Sequence, residues 1–248
     1  SKAMITLFDR QQYEGEVLGS DEQLDLAVIK IKADNLPYLE YGDSDLLVPG
    51  QTVLTTGNPK GNKNSVIPGI IGNIDVKLPD LSASMTYIQH TAGLGPGNSG
   101  GSLVDMNGRL IGVNDAIEDE CPSCNFAIPS NTVKRVVPIL IQYGKFKHGW
   151  LGLGIQYMTK NLAKKFNTCF ECGVLVNEIK DNSPAYHAEL QTGDIVISAN
   201  DKELHDQLDL TTIIGKLLPG STVKLVVIRN NKTLITNIVL SEKNKEDR

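Results

Sequence analysis

Between Ser1 and about Ala127 the sequence is cut into short runs of β-forming residues by glycine, proline, asparagine and aspartate, and no stretch there calls for a helix of any length. The runs are Met4 to Phe8, Tyr13 to Leu18, Leu26 to Ile31, Thr52 to Thr56, Ser65 to Ile74, Thr86 to Gln89, Ser102 to Val104 and Leu110 to Asn114. Gly42-Asp43-Ser44, Pro49-Gly50, Gly57-Asn58-Pro59, Pro68-Gly69 and Asn107-Gly108 punctuate them, the last being a strong hairpin signal. Strands this short and this evenly spaced predict an all-β barrel or sandwich.

The texture changes at Pro129-Ser130-Asn131. Ser130 or Asn131 can cap a helix there, with Val133, Val136, Val137, Leu140 and Ile141 on the 3.6-residue period and a stop near Gly144. The polar, basic stretch from Tyr143 to His148 reads as a linker. Beyond it come strands near Trp150 to Ile155, Gly173 to Ile179, Ile195 to Ala199, Thr222 to Ile228 and Thr233 to Leu240. Helical patches fall at Asn161 to Phe166, Pro184 to Leu190 and Gln207 to Leu217. This predicts two domains, 1–144 and 149–243, the second a small α+β module, with a frayed charged tail from Glu242 to Arg248. A length of 248 residues suits two modest domains.

The net charge of −5, without a dense basic stripe, argues against a nucleic-acid partner. The longest apolar stretch, Val136 to Ile141, contains Pro138 and falls far short of the ~20 residues of a membrane-spanning helix. The first residues lack the apolar core of a signal peptide and read as a strand already under way, so the chain is expected to begin mid-domain. No cofactor is expected.

The most specific string is Gly95-Pro96-Gly97-Asn98-Ser99-Gly100-Gly101-Ser102-Leu103. Flanking glycines permit the turn conformations that aim the backbone N–H groups of Gly97 and Ser99 at one point, as an oxyanion hole requires, with Ser99 as nucleophile. Taken alone, the same string also suits a plain hairpin turn.

With Asn107-Gly108-Arg109-Leu110-Ile111-Gly112-Val113-Asn114 and Phe126-Ala127-Ile128-Pro129-Ser130 behind it, this string resembles the HtrA/Deg family of trypsin-fold serine proteases. Upstream, Asp25-Leu26-Ala27-Val28-Ile29-Lys30 is similar to the strand bearing that family's triad aspartate, and Gly57-Asn58-Pro59 to its turn before the C-terminal barrel. Downstream, Gly149-Trp150-Leu151-Gly152-Leu153 and Leu190-Gln191-Thr192-Gly193-Asp194-Ile195-Val196 resemble its PDZ domain. The resemblance implies a mostly β chain, a trypsin-like double β-barrel with an incomplete N-terminal barrel, followed by one α+β PDZ domain.

It also implies an ATP-independent serine endopeptidase of protein quality control, acting on misfolded proteins in a cell envelope or organelle lumen and assembled as a homotrimer or larger oligomer. Asp25 becomes the residue that orients an imidazole and stabilises the imidazolium, although a carboxylate before a strand is commonplace in any β protein. The family carries its histidine about thirty residues before the aspartate, whereas the 24 residues before Asp25 include none. Of the four histidines, His90 alone is near Ser99 in sequence and reads as a cleft neighbour; His148, His187 and His205 read as surface residues. The competing class is a non-catalytic relative that holds unfolded chains.

By the same resemblance Leu94 lines the pocket for the residue before the scissile bond, which would favour small aliphatic side chains, although a core leucine suits the position equally. Val113, Asn114 and Asp115 belong to the segment that pairs with the substrate backbone. Trp150, Leu151, Gly152 and Leu153 resemble a loop that grips a C-terminal carboxylate, with Leu208, Ile213 and Ile214 as the opposite groove wall or as plain packing residues. The pairs Cys121/Cys124 and Cys169/Cys172 could together hold zinc, but the 44 residues between them favour local disulfides or free thiols.

Overall fold

The computed structural model describes residues 2–58, 65–118, 121–166 and 173–243. Cys169, Cys172, Pro59 and the tail beyond Lys243 lie outside the described residues. The chain forms two compact units, Ser1–Ser82 with Thr86–Phe146, and Lys147–Arg248 with Ala83–Met85.

The first unit opens with an antiparallel sheet of β1 (Lys2–Thr6), β2 (Gln12–Asp21) and β3 (Leu26–Lys30). Then β4 (Thr52–Gly57), β5 (Ser65–Leu78), β6 (Ser82–His90), β7 (Ser102–Asp105), β8 (Leu110–Glu118) and β9 (Cys121–Pro129) close a barrel in the order β4-β5-β6-β9-β8-β7. Closure pairs each of these six strands with a neighbour on both sides over part of its length. Leu47, Val53, Ile71, Ile88, Ala92, Leu103, Ile111 and Ala127 pack as one apolar cluster of this unit. Burying each large side chain among them contributes about 1.5–3 kcal/mol relative to exposure.

The strand β9 is absent from the β-runs expected from the sequence, the last of which before the helix ends at Asn114. Its first residues, Cys-Pro-Ser-Cys, carry turn chemistry, and the pairing of β6 and β8 on both sides begins only at Asn125. The cap of helix α1 (Ser130–Tyr143) also differs from expectation: Pro129 occupies the cap, and neither Ser130 nor Asn131 serves. The Ser130 hydroxyl donates to the Gly42 carbonyl at 2.9 Å, while the Asn131 N–H donates to Ser44 Oγ at 3.2 Å. The exposed first-turn donor is thus satisfied from a distant loop. The stop near Gly144 is as expected, with φ +74° and its N–H on the Leu140 carbonyl.

In the second unit, β10 (Gly149–Trp150) pairs with β17 (Ser241–Glu242). The main sheet runs β11 (Leu153–Tyr157), β12 (Val174–Ile179), β13 (Ile195–Ala199), β15 (Thr222–Arg229), β16 (Lys232–Val239), with the short β14 (Lys202–Glu203) on β13. Helices α2 (Lys160–Lys165), α3 (Pro184–His187) and α4 (Gln207–Gly215) complete it, each with an N-terminal side-chain cap, from Thr159, Ser183 and Asp206 respectively. The single strand expected from Trp150 to Ile155 is broken at Leu151-Gly152, because Gly152 takes φ +78°. Asp194, almost fully buried, accepts two bonds of 2.7 Å from Arg229 and one from the Gln191 N–H.

Candidate active site

Ser99 stands at the exposed tip of the loop between β6 and β7, one residue after a fully buried Asn98. Around it Gly97 has φ +100° and Gly100 φ +80°, conformations that a β-carbon would strain. The loop is held from beneath by one residue. Asn114 on β8 accepts the Gly100 N–H at 2.7 Å and donates its own N–H to Gly101 at 2.8 Å. Its side chain donates to Thr55 Oγ1 and, at 3.4 Å, to the Ser102 carbonyl. Among the described residues the N–H groups of Gly97 and Ser99 make no hydrogen bond, while the carbonyl of Gly97 is turned to the Asn58 N–H at 3.2 Å. A cavity of about 410 Å³ borders Gly97, lined by Thr6, Leu7, Phe8, Thr56, Gly57 and Asn58.

The Ser99 hydroxyl donates to the backbone carbonyl of Asp115 at 3.0 Å. The Asp115 carboxyl lies within electrostatic reach of the charge on Asp25. Asp25 itself lies in the turn before β3 with φ +48° and is exposed. Burial first, then the charge of Asp25, pushes Asp115 up to about 6. Burial, followed by the charge of Asp115, pushes the Tyr87 phenol upward as well.

His90 departs from the expected cleft position. It is completely buried on β6, both ring nitrogens lack a partner at normal hydrogen-bond distance, and burial pushes it down to about 4. A neutral imidazole facing the Asn114 side chain belongs to the core under the loop. It is the only histidine of the first unit.

Leu94 is half-buried, and its N–H donates to Asn125 Oδ1 at 3.3 Å; the Asn125 amide in turn donates to the His90 carbonyl at 3.4 Å. Val113 is paired on both edges, to Ser102 of β7 and Ile128 of β9, and Asn114 is likewise taken on both sides. Neither can therefore add a substrate strand. Past Asn114, the β8 edge away from β9 makes no ladder bond among the described residues, so Asp115 is the first position where an added strand could pair.

Cys121 and Cys124 form a disulfide at the β8–β9 end, and Gln89 Nε2 donates to Cys124 Sγ at 3.1 Å. A disulfide sulfur is no thiolate ligand, which removes the four-thiolate zinc site. In the second unit Leu151 is buried in the core, Gly152 turns the chain, and Leu153 starts β11, which lies at the edge of its sheet. Ile213 packs half-buried on the same core, Ile214 is buried in it, and Leu208 is half-buried on α4.

Residues 1–113 match the trypsin-like peptidase domain and residues 150–240 the PDZ domain. Among curated proteins, one from Chlamydia trachomatis described as a probable periplasmic serine endoprotease, DegP-like, is 36% identical over 99% of this chain and 50% of its own length. A Pseudomonas putida protein of the same description is 35% identical over 92% of this chain and 48% of its own. The chain thus spans about half the length of the curated relatives it matches. Among solved structures, the HtrA-type protease AlgW with a tripeptide superposes with a TM-score of 0.86 at 31% identity, covering 98% of this chain and 82% of that one. A serine endoprotease from Yersinia pestis superposes with a TM-score of 0.72 at 26% identity. With a nucleophile-type serine loop on a closed barrel, a PDZ domain later in the sequence and these relatives, the chain belongs to the HtrA-type serine proteases.

Proposed function

We propose that residues 1–144 carry the nucleophile, orienting carboxylate and oxyanion donors of an ATP-independent serine endopeptidase, and that residues 149–243 capture the C-terminal tails of unfolded or damaged proteins. The observation that carries this reading is an exposed serine beside two backbone N–H groups, of Gly97 and Ser99, that have no partner within the described residues. In the reaction Ser99 Oγ attacks the peptide carbonyl carbon, an imidazole takes its proton, and the two N–H groups receive the negative oxygen. The imidazolium, stabilised by Asp25, then passes the proton to the leaving amine, and water repeats the sequence on the acyl-enzyme. For this the Ser99 hydroxyl must leave the Asp115 carbonyl.

The imidazole is proposed to come from none of the four histidines of this chain, since His90 is locked in the core. Leu94 is proposed as a wall of the pocket before the scissile bond, and Asp115 as the start of the substrate-pairing edge. The Trp150 to Leu153 loop and the free edge of β11 support tail capture by strand addition. Assembly as a homotrimer or larger oligomer goes with this reading by analogy to the family. Light scattering on the purified protein tests it.

A second reading, a tail-binding relative without protease activity, is favoured by the absence of an accessible histidine in the first unit. Digestion of an unfolded protein by this chain, with and without added imidazole, separates the two. Cleavage that rises with imidazole and vanishes in Ser99→Ala supports the protease reading. No cleavage under either condition, with retained binding to a tail peptide, supports the second.

A further inference from the structure

We propose that the Cys121–Cys124 disulfide is a reversible thiol-exchange site: a dithiol opens it, and the opening is passed through Asn125 to Leu94, resetting the pocket wall beside the Ser99 loop. The inference rests on the roles proposed above for Leu94 and Ser99.

The placement follows from the β8–β9 ladder. Cys121 pairs with Glu118 and Asn125 with Ile117, so residues 122–124 have no counterpart on β8 and form a bulge. The disulfide closes that bulge across its base. Ser123 is exposed and both cysteines are half-buried, which leaves the sulfurs within reach of a small dithiol. A cross-link constrains the unfolded chain more the longer the loop it closes, and this one spans a sequence separation of 3. It is a weak staple, and neither cysteine belongs to the apolar cluster of the barrel.

The bulge is tied to the serine loop by side-chain hydrogen bonds. Cys124 Sγ accepts Gln89 Nε2 at 3.1 Å, and Gln89 is laddered to Asn73 of β5 and Phe126 of β9. The next residue, Asn125, is buried; its Oδ1 accepts the Leu94 N–H at 3.3 Å and its amide donates to the His90 carbonyl at 3.4 Å. Asn125 therefore holds both ends of the segment from His90 to Leu94, which leads directly into the Ser99 loop. Unbonded sulfurs need more room than a bonded pair, so reduction widens the base of the bulge beside Asn125.

The exchange moves two electrons and two protons. A thiolate of the dithiol attacks one sulfur, the other leaves as a thiolate and is protonated, and the reagent's second thiol resolves the mixed disulfide. The products are two protein thiols and the oxidised reagent, and an excess of the oxidised reagent runs the step backwards.

Dithiothreitol treatment of the whole chain, followed by alkylation and peptide mapping, tests the exchange. Alkylation of both Cys121 and Cys124 in the folded chain, reversed by oxidised dithiothreitol, is expected; a pair that opens only on unfolding overturns the proposal. Mapping reports these cysteines separately from Cys169 and Cys172.

Coupling is read from amide NMR signals in a Cys169→Ser/Cys172→Ser background, or in the wild type should that variant fail to fold. The Leu94 and Asn125 signals are expected to shift on reduction, to return on reoxidation, and to sit at the reduced position in Cys121→Ser/Cys124→Ser. A Leu94 signal unmoved by complete reduction overturns the coupling, whatever the protease activity.

The pocket role is read from Ser99 labelling by peptidyl phosphonates carrying valine or phenylalanine at the position before the reactive phosphorus. The ratio of the two rates is expected to change roughly tenfold between oxidised and reduced protein, the size of a small change in an apolar pocket. An unchanged ratio overturns the pocket role and leaves the protease reading intact. Absence of labelling in both states overturns the protease reading and the pocket role together, while the amide shifts still decide the coupling.

Discussion

The side-chain oxygen of Asn98 is buried against Gly57 without a hydrogen-bond donor, in a space that a β-carbon on residue 57 would enter. Asn98 also donates its N–H to Gly95 and accepts the Gly101 N–H, each at 2.9 Å, so it sets the position of the Ser99 backbone. Gly57→Ala is expected to push Asn98 and with it the serine. A displacement of this kind costs on the order of 100-fold in rate, against an overpacking cost of about 1–3 kcal/mol in stability. Labelling rate and urea unfolding, measured on the same variant, check both numbers.

His90 and Asp115 give stability opposite slopes in acid. Burial lowers His90 from 6.5 to about 4, so between those values the unfolded chain binds the extra proton and stability falls as pH falls. Full protonation costs about 3 kcal/mol on that basis. Asp115 is raised from 3.8 to about 6, so its contribution is complete below the ordinary value and is lost as pH rises through 6. The wild type is expected to show a shallow pH dependence between 4 and 6. Asp115→Asn steepens the acid loss, and His90→Gln reverses its sign; denaturant midpoints across that range check this.

In the second unit, removing Arg229 leaves the Asp194 carboxylate buried and short of two bonds. Breaking one partner of such a pair costs about 3–5 kcal/mol. Arg229→Ala is therefore expected to lower the urea midpoint of the second unit sharply, while Ser99 labelling persists. A loss below about 1 kcal/mol contradicts the assignment of this pair as a buried one.

Gly152 has φ +78°, and a β-carbon there would meet the Ser183 side chain and approach the Trp150 ring. Gly152→Val is expected to weaken capture of a fluorescent tail peptide at least tenfold, an effect of about 1.4 kcal/mol. The C-terminal amide of the same peptide is expected to bind the wild type as weakly. Equal affinity for acid and amide, read by anisotropy, would remove the carboxylate-gripping role from this loop.

What the sequence disclosed was local chemistry. The glycines around Ser99 and the Asn107-Gly108 hairpin turn are needed by the chain's own geometry, and they stand in the letters themselves. The strand β9 was hidden because Cys121-Pro-Ser-Cys124 carries turn chemistry, and the pairing of β6 and β8 on both sides begins only at Asn125. The helix cap was hidden because Gly42 and Ser44 lie 88 and 87 positions from the residues they bind. Val113 and Asn114 were assigned to substrate pairing, whereas the barrel uses both of their edges. Asp25, Tyr87 and Asp115 come within electrostatic reach of one another only after three separate segments fold, so no spacing rule could have joined them, and Asp194 with Arg229 is the same case.

The central claim is that Ser99 is an activated nucleophile. The most direct measurement is the mass of the protein after a fluorophosphonate probe, with the adduct mapped by peptide sequencing. The account expects one adduct, on Ser99, lost in Ser99→Ala and slowed in Asp25→Asn. An adduct on another serine, or none with the whole protein folded and binding tail peptide, would contradict it.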